Sequence, residues 1–463
     1  MLALLIGKEI RAHVLSYRFV LTFMLFFVLI VSSVQIIALN YDRQLANFSE
    51  SQRAQEEKLK ETDFRSMRWR GTQVERRPNP LSVFAMGLEK EMARSVGISQ
   101  FQEAKLGRSK YANPLFVLFP APDLLYIVNI VASLLAVLFA FDAVCGEAEE
   151  GTLKLVMSNS VPRHLVLLAK WIGGYIALIL PFLISVLCAL FFAQLTTALS
   201  FTGDEWGAFA GILGVATLYI SLFYALSLMI STLVHRAATS LVVNFLIWVL
   251  VVLVVPNTAP IVARALAPVP SAGVIAGQKV AIQRDIWNGV RRQMRGNRGG
   301  RNNEERQQAF DDAQAKIREE TEKLTTGYLQ KVDEQISLGV LLARLSPSAS
   351  YVYATAGLAG SGLGDFGGLR EYIKRYRQEF MTKVQDIEQM RRKLAENAAD
   401  QTERQEIMEA PVEPGDLPVF APGRGGWSEV LADGQVDLII LLVLNVVFFL
   451  GSYLGFLRYD LMK

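Results

Sequence analysis

Residue types that ordinarily carry chemistry are few in this chain and scattered along it. His13, His164 and His235 offer no ligand pair at helical spacing, and Cys145 and Cys188 form neither a disulfide framework nor a zinc pattern. "GLGDFG", Gly362 to Gly367, matches the dinucleotide pattern GxGxxG. That pattern grips a pyrophosphate only between a leading strand and a helix N-terminus, and no strand leads in here. "NFS" at Asn47 matches a glycosylation acceptor by a common chance hit, and "RGNRGGRNN" at 295–303 reads as a disordered loop, not a nucleic-acid segment. No G-x-x-x-x-G-K-[ST] phosphate loop occurs, so the chain is not its own ATPase of that type. What remains is "FDAVCGEAEEGTLKLVMSNSVPRHLVLLAKW", residues 141–171. An apolar run stops at Cys145, Glu147, Glu149 and Glu150 follow, and apolar sequence soon resumes. A soluble protein would use this as an acidic surface loop. A membrane protein would use it as an elbow built to be gripped by something else.

The elements around it decide which. At 463 residues, 52% hydrophobic and 20% charged, with mean hydropathy +0.29, the chain is too apolar for an average soluble protein. A net charge of +3 is too balanced to imply nucleic acid. Crossing the hydrocarbon core takes roughly 20 mostly apolar residues. The stretches 19–39, 124–144, 165–196, 208–234, 241–262 and 436–457 qualify. The first is longer than the apolar core of a signal peptide and no small-residue cleavage site follows, so it reads as a retained anchor.

Short loops set orientation. Lys8, Arg11 and Arg18 precede the first span, Lys154, Arg163 and Lys170 lie between the second and third, and Arg236 lies between the fourth and fifth. The tail, 458–463, carries Arg458 and Lys463, whereas "SFTGDEW" between the third and fourth spans has Asp204 and Glu205 and no base. The basic flanks share one side if both termini are cytoplasmic, which puts 40–123 and 263–435 outside and 145–164 inside. Trp171, Trp206 and Trp427 sit near the span boundaries, where indole rings favour headgroups.

The larger outer insert reads as helical. Leu369, Ile373, Tyr376, Phe380, Val384, Ile387, Met390 and Leu394 form one apolar stripe, and Phe310, Ile317, Leu324, Tyr328 and Ile336 a looser one. Joined through "SPSASYVYATAGLAGSGLGDFGG", the two suggest a helical hairpin or stalk, either packing on itself or presenting a face to an extracytoplasmic partner.

In the acidic stretch, Gly146 is placed to end the second span, Gly151 to turn the chain, and Thr152 to cap a helix over "TLKLVMSN". Leu153, Val156 and Met157 then make a small apolar face. Ser160 is a second capping candidate, Pro162 fits the first turn of the third span, and Arg163 and Lys170 anchor its inner end. Such a helix suits either a groove on another protein or a bed of lipid headgroups. Physics alone leaves both open.

The segment "FAFDAVCGEAEEGTLKLVMSNSVPRHLVLLAKWIGGY" resembles the signature of the type-2 family of ATP-binding-cassette (ABC) transporter permeases. Asp142, Glu147, Glu149, Gly151, Thr152, Leu153, Leu155, Ser158, Pro162, Arg163 and Lys170 fill that pattern; "SNSVPRH" departs from it where many relatives place a proline before a valine. "RPNPLSVFAMGLE" and "LSPSASYVYATAGLAG" are similar to the subgroup with a large extracytoplasmic insert associated with multi-copper enzyme maturation. The resemblance implies an all-α membrane protein of six spans with a helical extracytoplasmic domain, in the bacterial cytoplasmic membrane. It implies that 145–164 is a coupling helix docking on a separate ATPase subunit through Glu147, Glu149, Glu150, Gly151, Thr152, Leu153, Leu155, Val156, Met157, Pro162 and Arg163. It also implies an amphipathic elbow helix over 1–18, with Leu2, Leu5, Ile6, Ile10 and Val14 toward lipid.

The expected partners are two ABC ATPase subunits, a second permease chain of the same or a related kind, and lipid. ATP and magnesium belong to the ATPase; this chain is expected to bind no cofactor and to be no enzyme. Export of a substrate and mechanical signalling to an outer partner both fit. An ion-coupled transporter fits less well, because the central portions of the spans lack ionisable residues, and a scaffold without a motor leaves the acidic elbow unexplained. Asn129, Asn244 and Asn445, the polar residues inside spans, suit interhelical hydrogen bonds better than a substrate-lining role.

Overall fold

A computed structural model describes residues 1–99, 105–107, 122–158, 161–296, 303–423 and 427–459. Among them, helices long and apolar enough to cross a membrane cover Tyr17–Glu61, Leu124–Glu149, Arg163–Thr196, Gly203–Leu233, Ala237–Leu266 and Gly434–Arg458. Each contains one of the apolar stretches above, except that the fourth helix ends one residue short, with Val234 as its C-cap. The chain divides into two compact units, 1–248 with 350–463, and 249–349.

The fourth span is the core of the first unit. A capping box starts it, with the Thr202 hydroxyl accepting from Glu205 N and the Glu205 carboxylate accepting from Thr202 N. Tyr219, Phe223 and Tyr224 along it are fully buried. The sixth span approaches it through "GSYLG": a Cβ added at Gly451 would meet Met229 Sδ at 2.5 Å, and one at Gly455 would meet Thr232 Oγ1 at 2.4 Å. Two small residues four apart let helix backbones close where lipid supplies no hydrophobic drive. Pro181 inside the third span removes a ladder bond, and its carbonyl accepts from the Ser185 hydroxyl at 2.7 Å.

The first span does not stop at the membrane edge. It runs unbroken for 45 residues to Glu61, roughly 65 Å at 1.5 Å per residue, about twice the hydrocarbon thickness. Its far part meets a small antiparallel sheet with strand order β1 (Thr72–Glu75), β2 (Ser95–Ile98), β3 (Lys105–Gly107), a feature absent from the sequence reading. Gln55 Nε2 donates to Thr72 Oγ1 at 3.0 Å.

The apolar stripe of the helix Leu363–Glu396 packs differently from expectation. Leu369, Ile373, Tyr376, Phe380 and Val384 form one core with Phe64, Met67, Val74, Met92, Val96 and Ile98 of the first insert. The two inserts thus build one mixed module, tied further by Arg68 to Glu388 at 2.6 Å. Beside that core, burial pushes the Glu89 carboxyl up and the Arg76 guanidinium paired with it pulls it back. The other amphipathic helix, Asn303–Ala343, belongs to the second unit. There it packs with Ala272–Gly296, where Trp287 meets Phe310 at 5.2 Å, and it meets the end of Val255–Leu266, where Gln335 donates to Ala267 O at 2.6 Å. The stripe expected to serve a hairpin is, on Leu363–Glu396, covered by residues of the first insert. Periodicity shows that a face is apolar, not what will cover it.

Candidate functional site

The acidic stretch lies where the elbow helix and the ends of all six spans meet. The second span pauses in a turn at Phe141–Val144, resumes as Cys145–Glu149, and ends at Gly151 with φ +75. Gly146 therefore lies inside the helix; Gly151 supplies the left-handed residue that closes a helix C-terminus. The helix Thr152–Ser158 follows. The Thr152 hydroxyl does not cap it but donates back to Glu147 O at 3.2 Å. Ser160 lies outside the described residues. Pro162 is the N-cap of the third span, one position before the first turn expected for it.

Each carboxylate of the stretch but the last holds a different span. Arg18, at the start of the first span, donates to Asp142 Oδ2 at 2.8 Å and lies over the Phe141 ring. Lys170, in the third span, reaches Glu147 Oε1 at 2.7 Å. Ala237 N, at the start of the fifth span, donates to Glu149 Oε2 at 3.0 Å, where a helix N-terminus favours negative charge. The fourth span contributes Ser231, whose hydroxyl oxygen accepts from Val144 N and Cys145 N at 3.0 and 3.2 Å. Arg163 closes the set: its guanidinium donates to Phe456 O at 3.0 Å and Leu457 O at 2.7 Å, capping the sixth span. Glu150, on the closing turn, is exposed beside Glu149, which is also exposed although it holds the fifth span.

The elbow helix, Leu2–Val14, is a sixth attachment. A Cβ added at Gly173 would stand 2.6 Å from Glu9 Cβ and 3.2 Å from Ile6 O, and one at Gly174 would stand 3.1 Å from His13 Nε2. Ile6 and Ile10 therefore lie on the side that rests on the third span with Glu9, not on lipid as expected, whereas Val14 stays exposed; Leu4 and Leu15 also point outward, 81% and 78% exposed. His13 stacks on Phe139, and burial pushes its imidazole below the ordinary value, with Glu9 and Asp142 pulling up and Lys170 and Arg18 pulling down.

A family model described as ABC-2 family transporter protein matches residues 3–461. The chain belongs to the ABC-2 transporter family. It is also similar to a protein named probable ABC transporter permease protein NosY of Stutzerimonas stutzeri, 34% identical over 125 residues. That match takes in 26% of this chain and 44% of the relative, so the chain spans less than half of the relative's length. The protein is a multi-pass, helical membrane protein of the ABC-2 transporter family.

Within this ABC-2 subunit the residues grouped by sequence as one docking face separate into two sets. Glu147, Leu153 and Arg163 face the chain itself: Leu153 is fully buried, and the other two make the bonds just described. Val156 and Met157 are half-buried. The outward set is Glu149, Glu150, Thr152 and Leu155, with Leu155 69% exposed. The span-interior asparagines also divide. Tyr219 donates to Asn129 Oδ1 at 2.8 Å and Ser221 to Asn445 Oδ1 at 2.9 Å, both from the fourth span. Asn244 instead donates to Ser240 O one turn back in its own helix, so its bond is not interhelical.

Sequence reasoning missed Glu9, Arg18 as a partner of Asp142, and Ser231. The Gly173–Gly174 pair was the available signal, since adjacent glycines in a span mark a close approach.

Proposed function

We propose that this chain converts ATP binding and hydrolysis on a separate ATPase subunit into movement of its spans, and so exports a substrate. The observation supporting this is the two-sided segment 142–163: its inner side is bonded to the elbow helix and to the ends of the other spans, while Glu150, Thr152 and Leu155 are presented outward. A push on the outer ridge would reach every span through short polar contacts. The basic short flanks support a cytoplasmic position for this end and for both termini. The chain itself does no chemistry in this reading. Six spans are few for a translocation path, so two permease chains pair above two ATPase subunits.

One feature favours a second reading, in which force goes to an outer partner and no substrate crosses. The first span is a continuous rod from Arg18, bonded to the coupling segment, to Gln55, bonded to the sheet of the outer module. Such a rod can carry movement outward without a pathway for cargo.

Leu155→Asp and Glu150→Lys test the docking role. Both residues are outward, so the fold should tolerate the changes. The expected outcome is a chain that inserts and melts like the parent but no longer co-purifies with the ATPase subunit or stimulates hydrolysis. Undiminished association in both variants refutes the docking role. Hydrolysis stimulated by an outer partner without vesicle transport would select the second reading.

A further inference from the structure

The elbow helix has no assigned part in the coupling just proposed, yet it carries the least expected group of charges in the molecule. Lys170 lies inside the protein with its side chain 4% exposed. Its ammonium reaches two carboxylates from different elements, Glu147 Oε1 at 2.7 Å and Glu9 Oε1 at 3.5 Å. Lys8 approaches the same two oxygens at 3.9 and 3.8 Å. A buried cation needs such compensation, because withdrawing it from water is costly unless opposite charge is close. The arrangement therefore holds together only while elbow helix, coupling segment and third span keep their mutual places.

Shape enforces the same relation. Gly173 leaves no room for a side chain against Glu9 and Ile6, and His13 comes close at Gly174, whose space Tyr224 fills first, so sliding the elbow helix along the third span would drive it into the bulkier residues beside this notch. Tyr224 donates to the carbonyl of Lys170 at 3.2 Å, fixing that turn of the third span to the buried fourth. Displacing Glu147 while the elbow helix stayed behind would strand Lys170 between separated carboxylates.

We propose that Glu9, Glu147 and Lys170 are positioning residues that make the elbow helix move as one body with the coupling segment, so that the stroke of the ATPase repositions this helix in the lipid interface. This inference rests on the coupling reading above and adds a moving part to it. The alternative it excludes is an elbow helix that stays as a fixed lipid anchor while the coupling segment shifts beneath it.

The test uses the full chain with its co-purifying ATPase subunit in lipid vesicles. A single spin label is placed at Leu4→Cys, an outward position, in a Cys188→Ser background; Cys145 is buried. Accessibility of the label to oxygen and to a water-soluble nickel chelate reports its depth with and without trapped ATP. The expected result is a nucleotide-dependent depth change in the parent, lost in Lys170→Met and in Glu9→Gln, retained in Lys170→Arg, with ATPase association intact throughout. Should Lys170→Met fail to fold, Glu9→Gln carries the comparison, since Lys170 keeps Glu147. A label that ignores nucleotide in a hydrolysing parent complex, or that responds equally in Lys170→Met and Glu9→Gln, overturns the proposal alone. Failure of the ATPase to associate with the parent overturns the coupling reading beneath it.

Discussion

At the scale of single residues, the structure turns apparent surface charges into internal fasteners. Arg163 reads in sequence as a basic flank, and in the fold its guanidinium accounts for carbonyls at the end of the sixth span. Arg163→Met should lower stability by about 1–2 kcal/mol, seen as an earlier melt of the purified chain. His13 gives a pH signature. Burial depresses its folded pKa below the ordinary value of about 6.5. The unfolded chain therefore binds the proton more readily, so this contribution is fully present above about pH 6.5 and fades as pH falls toward the depressed value. Acidifying from about pH 7.5 to about pH 5.5 should lower the melting temperature of the parent more than that of His13→Phe. Equal slopes would show that His13 does not seat the elbow helix. Glu149 and Gly151 could be picked out from residue type alone, because a glycine after acidic residues at a helix end has one common use. That Glu149 also caps the fifth span could not, since Ala237 is 88 positions away.

Elements were legible where their pattern is long and obscure where it is short. Six apolar runs suffice to place the spans, because a backbone in lipid must satisfy its own polar groups and a helix does so locally. The seven-residue helix Thr152–Ser158 is too short for periodicity to choose its inner side. Leu153 and Leu155 stand equally apolar in sequence; tertiary packing buries the first and exposes the second. The strands Thr72–Glu75, Ser95–Ile98 and Lys105–Gly107 span three or four residues each and give no usable alternation. Hence the stripe on Leu363–Glu396 was visible and its partner was not. Phe380 is 1% exposed at the centre of that core. Phe380→Ala should cost about 3–5 kcal/mol, and limited proteolysis should then cut this mixed module while the spans stay intact. Uniform loss of the whole protein would show that module and spans unfold as one unit.

Across the whole molecule, the segment 141–171 acts as a hub, reaching the elbow helix and every other span through side chains of ordinary type. Its connectivity was invisible in sequence because each contact joins residues far apart along the chain. The family signature was visible because it lies in one uninterrupted run. The central claim is that the outward ridge of this hub is a cytoplasmic surface covered by an ATPase. The most direct measurement is labelling of Leu155→Cys, in the Cys188→Ser background, by a membrane-impermeant maleimide. Leu155→Cys should react in inside-out vesicles, stay unlabelled in intact cells, and be protected when the ATPase subunit is bound. Reaction from outside intact cells, or full reaction beneath a bound ATPase, would contradict it.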